Sequence, residues 1–232
     1  YKRKYCFQAP TPEDVFGLFL NGKYVDSLYY KTDGTYGAFV YRDIFSDIER
    51  AILNGKRILF IHSDMGNGKT ACINELRHLL SKQEIHVFIL INAESTKLSE
   101  EISAISNLSK TSKVLVIIDD YTSYVDILKK FTLFDNKQIQ FVLTARTALN
   151  HNKMPSVLSD FAVQENDSAI FNLNRVDDTG IDHCIKVFER YGLFGKRAGL
   201  TRKQKKDYLI SPRKCSRKFQ AIMLDVIQSQ VL

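Results

Sequence analysis

Two periods alternate along this chain. Short apolar runs, Arg57-Ile58-Leu59-Phe60-Ile61, His86-Val87-Phe88-Ile89-Leu90-Ile91, Lys113–Ile118, Gln140-Phe141-Val142-Leu143 and Ala169-Ile170-Phe171-Asn172-Leu173, read as five buried strands. Between them apolar residues recur every three or four positions: Ile44, Phe45, Ile48, Ala51 and Ile52 before the first run, then Ile73, Leu76, Leu79 and Leu80 after it. Residues 98–108 and 124–131 repeat that helical spacing. The first helix stops at Asn54-Gly55, a C-terminal signal. Strands alternating with helices predict βα units and a parallel sheet covered on both faces. From about Asp177 the pattern is helical only, over residues 181–191, 203–210 and 217–231. Before Phe39, scattered aromatics with Pro10, Pro12, Gly22, Gly34 and Gly37 predict an irregular lead-in holding one short helix near residues 15–20. The expected organisation is a lead-in over 1–38, an α/β core over 39–176 and a helical subdomain over 177–232.

Between the first strand and the helix after it lies Ser63-Asp64-Met65-Gly66-Asn67-Gly68-Lys69-Thr70. Strand, glycine loop and helix in that order form a phosphate-binding loop, with Ser63 where the usual pattern has its first Gly. Gly66 and Gly68 let the chain curl so that N–H groups from Met65 through Asn67 to Thr70 point inward. Lys69 is placed for the β/γ-phosphates, Thr70 for Mg²⁺, and the helix beginning there adds its positive end.

The third strand ends in Asp119-Asp120, at the edge where parallel sheets bind ligands. Asp119 is expected to order the metal's water shell, and Asp120 to polarise the attacking water. The fourth strand ends Leu143-Thr144-Ala145-Arg146, which offers Thr144 to orient water and Arg146 to sense a γ-phosphate.

Bulk composition narrows the class. The chain has 232 residues, 44% hydrophobic and 25% charged, which suits one large domain with an appendage. No apolar run approaches the ~18 residues needed to span a bilayer, and no signal peptide is visible. The four cysteines, Cys6, Cys72, Cys184 and Cys215, show no metal or disulfide spacing, so reduced thiols in the cytoplasm are expected. A start at Tyr1 rather than Met suggests a piece of a longer protein. Net charge is +7, and twelve Lys or Arg stand against Glu189 and Asp207 between Lys186 and Lys218. That asymmetry points to a polyanion: nucleotide phosphates, nucleic acid or an acidic partner.

Together, Asp64–Thr70, Val114–Asp120 and Phe141–Arg146 resemble the core motifs of the STAND class of signalling P-loop NTPases, related to AAA+ ATPases. Phe39-Val40-Tyr41-Arg42-Asp43 is similar to the segment that lies near adenine in that class, with Tyr41 in place of a Gly; this brings in Arg42. Ser211-Pro212-Arg213 falls where the class has a Gly-x-Pro segment touching the nucleotide, which brings in Pro212. The resemblance implies an ASCE-type P-loop fold with sheet order five-one-four-three-two and a C-terminal helical lid. It also implies ATP and Mg²⁺ as ligands, an ATP/ADP-gated switch that hydrolyses slowly and assembles into homo-oligomers, and sensor and effector domains beyond this fragment. Many bacterial members act in defence against phage, so an antiviral role is the corresponding expectation.

Two rivals come from other classes. A GTPase is suggested by Asn174-Arg175-Val176-Asp177, similar to a guanine reader, although Asp119-Asp120-Tyr121-Thr122 lacks the Asp-x-x-Gly of such enzymes. A nucleic-acid-binding or DNA-stimulated ATPase is suggested by the basic Lys196–Lys218 region, which has no aromatic stacking platform apart from Tyr191, Phe194 and Tyr208. A third possibility keeps the fold without turnover, as a nucleotide-stabilised scaffold.

Overall fold

A computed structural model describes residues 11–21, 37–91, 96–133 and 138–231. In chain order its helices and strands are α1 (Pro12–Asn21), α2 (Asp43–Leu53), β1 (Ile58–His62), α3 (Lys69–Leu80), β2 (Ile85–Ile89), α4 (Leu98–Leu108), β3 (Lys113–Ile118), α5 (Val125–Thr132), β4 (Ile139–Ala145), α6 (Thr147–Asp160), β5 (Ser168–Asn172), α7 (Asp178–Arg190), α8 (Arg202–Ile210) and α9 (Phe219–Val231). The chain divides into two compact units: Ile44–Asn174, and Tyr1–Asp43 with Arg175–Leu232.

The first unit is the α/β one. All five strands run parallel in the order β2-β3-β4-β1-β5, the expected order read from the other edge. Central strands β1, β3 and β4 are closed to solvent almost throughout, while edge strands β2 and β5 are only half-buried. That gradient explains why the central strands are apolar over most of their length and why β5 tolerates Ile170 at 52% exposure. Phe60, Val114, Val116, Phe141 and Leu143 pack with Leu128, Phe131 and Phe161 on one face of the sheet. Each such burial contributes about 1.5–3 kcal/mol relative to exposure. Register sets the site: His62 lies opposite Ala145 and Asn172, and Ile118 opposite Leu143, so the C-terminal ends of these strands share one edge. An ASCE-type P-loop NTPase core has this topology, with β4 inserted between the glycine-loop strand and the acidic strand.

Helix α6 has no counterpart in the sequence expectations. Its 14 residues include Pro155, and only Asn150 and Val157 are buried, so no apolar stripe announces it.

The second unit is helical. Val15 of α1, Ala38 and Val40 share a core with Ile181, Cys184 and Phe188 of α7, Leu209 of α8 and Ile222 and Val226 of α9. Asp177 caps α7: its Oδ1 accepts from the Gly180 N–H at 2.6 Å, and its Oδ2 accepts from the Asp43 N–H at 3.0 Å. Helix α8 opens with a reciprocal capping box between Thr201 and Gln204. Gly195 has φ 49°, and a Cβ there would lie 2.4 Å from the Ser229 carbonyl oxygen, so no larger residue fits. No described helix is long and apolar enough to cross a membrane.

Candidate functional site

The glycine loop leaves β1 at the shared strand edge and runs into α3. Gly66 and Gly68 adopt φ 77° and 85°, left-handed values that a side chain makes costly. Ser63 is absent from the positive-φ residues, so the loop's first position needs no glycine. It is fully buried, and its hydroxyl donates to the Asp64 carbonyl at 2.9 Å while accepting from Lys69 Nζ at 3.1 Å. The Lys69 ammonium also donates to the carbonyls of Ser63 at 3.0 Å and Asp64 at 3.2 Å, which folds it back across the mouth of its own loop. Burial lowers the Lys69 pKa from its ordinary value, Asp119 opposes that shift, and Arg146 reinforces it. Among the described residues, the N–H groups of Met65, Gly66, Gly68 and Lys69 meet no acceptor. Backbone donors without an acceptor at a helix start, beside an ammonium, suit a polyphosphate.

Thr70 and Asp119 face each other, with Thr70 Oγ1 3.5 Å from Asp119 Oδ2. Thr144 holds the other carboxylate oxygen, donating to Asp119 Oδ1, and accepts the Asp120 N–H at 3.1 Å. A hydroxyl and a carboxylate, both hard oxygen donors, suit Mg²⁺ that keeps most of its ligands from water and phosphate. Among the described residues no group of three or more His, Cys, Asp or Glu could hold a metal by itself. Asp120 has φ 53°, and its carboxylate accepts from Thr122 Oγ1 at 3.1 Å and Ser123 Oγ at 3.0 Å. Those hydroxyls, rather than the loop, occupy its oxygens. Arg146 is exposed at the start of α6 and lies within electrostatic reach of Lys69.

One polar residue of this edge entered the sequence reading only through the guanine-reader motif. Asn174 Oδ1 accepts from the Asp64 N–H at 2.7 Å and from Asn67 Nδ2 at 3.2 Å, tying the loop from outside. Its Nδ2 contacts Thr147 Oγ1 at 3.3 Å, and Thr147 in turn contacts His62 Nδ1 at 3.3 Å. The signal that points to Asn174 is its place just beyond β5, at the edge where ligands bind. Asn174-Arg175-Val176-Asp177 is accounted for without guanine, since Asn174 serves the loop and Asp177 caps α7.

Arg42 and Pro212 belong to the helical unit. Arg42 is 2% exposed, with its guanidinium 4.8 Å from the centre of the Phe219 ring, whereas Pro212 is exposed in the turn after α8. The basic stretch is partly neutralised by acids outside it. Arg197 pairs with Asp225 at 2.8 Å, Lys206 with Asp182 at 3.3 Å, and Arg217 with Asp178 at 3.0 Å. Inside the stretch, Lys205 pairs with Glu189 at 2.9 Å. Lys186, Lys196, Lys203, Arg213, Lys214 and Lys218 are exposed and make no ion pair with any described residue.

No family model matches the chain, and no curated protein matches it by sequence. Solved structures with a related course of the backbone include the ORC2 protein of Aeropyrum pernix in ADPNP–ADP complexes, 13% identical over 81% of this chain and 60% of that one, TM-score 0.45. A DNA replication initiation factor is 13% identical over 90% of this chain and 66% of its own, TM-score 0.49. PCH-2 of C. elegans is 12% identical over 85% and 70%, TM-score 0.44. The chain therefore spans 60% and 66% of the length of the first two. At these identities the likeness concerns the path of the chain alone.

Proposed function

We propose that this chain is an ATP-binding switch with slow or regulated hydrolysis, of the STAND signalling kind related to AAA+ ATPases. One observation carries the reading: the loop with left-handed Gly66 and Gly68 delivers Lys69 to its mouth and sets Thr70 opposite Asp119. N–H groups from Met65 through Gly66, Asn67 and Gly68 to Thr70 receive the phosphates, and Lys69 exchanges its loop oxygens for β/γ oxygens. Thr70 and Asp119 hold Mg²⁺, which when bound neutralises charge on the phosphoryl oxygens. Asp120 accepts the proton of the attacking water once its carboxylate leaves the Thr122 and Ser123 hydroxyls. Arg146 answers to the γ-phosphate.

Arg42 and Pro212 form the adenine side in this proposal, and the burial of Arg42 suits a bracing place there. Residues 39–176 act as the NTPase core and 177–232 as its lid. The compact unit containing that lid also holds α1, so the two would move together. Homo-oligomerisation, sensor and effector domains outside this fragment, a cytoplasmic setting and a part in bacterial antiviral defence follow from the class, and their support is the three core motifs.

Thermal unfolding with Mg²⁺ and ATP tests the reading. Saturating ATP should raise the parent's midpoint by roughly 5–10 °C, GTP should do less, and Lys69→Ala should abolish the shift. Asp120→Ala should keep the shift and lose turnover. Equal ATP binding by Lys69→Ala and the parent would end the phosphate assignment.

A second reading, a DNA-stimulated ATPase, is favoured by the six basic residues of the Lys186–Lys218 stretch that are exposed and make no ion pair with any described residue. Binding of duplex DNA that falls steeply between low and physiological salt is its signature, and no binding at low salt eliminates it.

A further inference from the structure

We propose that Asn174 is a positioning residue that holds the phosphate loop open for its ligand, a deepening that rests on the nucleotide-binding reading above. A phosphate loop must keep its inward N–H groups free and in place before the anion arrives, because closing them on one another would cost binding energy. The loop has a buried anchor at each end: Ser63 is 0% exposed and Asn67 is 3% exposed, while Asp64, Met65 and Gly66 between them are exposed. Asn174 acts on that arc. A single oxygen, Oδ1, takes the backbone N–H of Asp64 at 2.7 Å and the side-chain amide of Asn67 at 3.2 Å. It thereby turns the Asp64 N–H away from the phosphate side and fixes the arc from both ends.

Asn174 is itself fixed. Its backbone N–H donates to Asn172 Oδ1 at 2.9 Å, and its Nδ2 is 3.3 Å from Thr147 Oγ1 at the start of α6. Thr147 also lies 3.3 Å from His62 Nδ1, whose ring meets His151 of α6 edge-on at 5.5 Å. The chain of contacts joins β1, β5 and α6 to the loop through one asparagine. Amide identity is settled by these partners: the Asp64 N–H requires an oxygen, so the nitrogen faces the Thr147 hydroxyl.

Two measurements on the same variants test the tie and separate it from the reading beneath it. Amide hydrogen exchange of the nucleotide-free chain should show Asp64 protected in the parent, exposed in Asn174→Ala and protected again in Asn174→Asp, which keeps the acceptor. Amides of β1 and β4 should exchange alike in all three. ATP titration should then show Asn174→Ala binding about tenfold more weakly than the parent. Unchanged Asp64 exchange, unchanged ATP affinity, or loss of protection throughout the sheet in Asn174→Ala each overturns the positioning role. Should the parent itself fail to bind ATP while the exchange pattern holds, the nucleotide reading fails and the tie alone stands.

Discussion

At the scale of single residues, Ser63 resolves the one departure in the glycine loop. Its backbone needs no positive φ, and its hydroxyl joins two carbonyls in holding the Lys69 ammonium. In the proposed nucleotide-binding state, those bonds compete with phosphate for Lys69. Ser63→Ala should therefore leave ATP affinity unchanged or raise it up to about fivefold, since one competing bond is worth ~1 kcal/mol net. Isothermal titration distinguishes this from a direct phosphate contact by Ser63, which would weaken binding instead. Asp119 and Asp120 are adjacent and chemically alike, yet Thr144 and Thr70 hold the first while Thr122 and Ser123 hold the second. Identical side chains acquire different tasks from their partners.

At the scale of elements, helix starts carry much of the specification. Asp177 uses both carboxylate oxygens on backbone N–H groups, one at Gly180 in α7 and one at Asp43, the first residue of α2. Asp177→Ala should cost about 1–2 kcal/mol, measured by denaturant unfolding, with Asp177→Asn recovering most of it. The strands and most helices were legible because burial on both faces and one-sided burial leave different apolar periods. Helix α6 was not, because its 14 residues bury little and include Pro155. It matters all the same, since Arg146, Thr147 and His151 reach the loop's surroundings from its first turns.

For the whole molecule, buried His62 and half-buried His183 set a pH limit. Burial lowers the His62 pKa, with His151 adding to the effect, and burial also lowers that of His183, with Lys186 adding to it. Below the unfolded value of about 6.5 the unfolded chain takes up these protons first, so stability declines as pH falls from there. Unfolding midpoints at pH 7.5 and 5.5 should differ less in His62→Gln than in the parent. Charge, too, belongs to this scale. The basic stretch looks like an open polyanion site in one dimension, but Asp178, Asp182 and Asp225 fold against it, and six of its cations make no ion pair with any described residue.

The amino-acid order alone determined the five strands, the glycine loop with Lys69 and Thr70, and the acidic strand end, because turn chemistry and burial periods act over a few neighbours. Only the tertiary structure decided that Asn174 ties Asp64 and Asn67, that Thr144 holds Asp119, and that α1 shares a core with α7, α8 and α9. Those are hydrogen bonds and contacts between segments far apart in the chain. Their existence depends on register and sheet order, which no local pattern encodes.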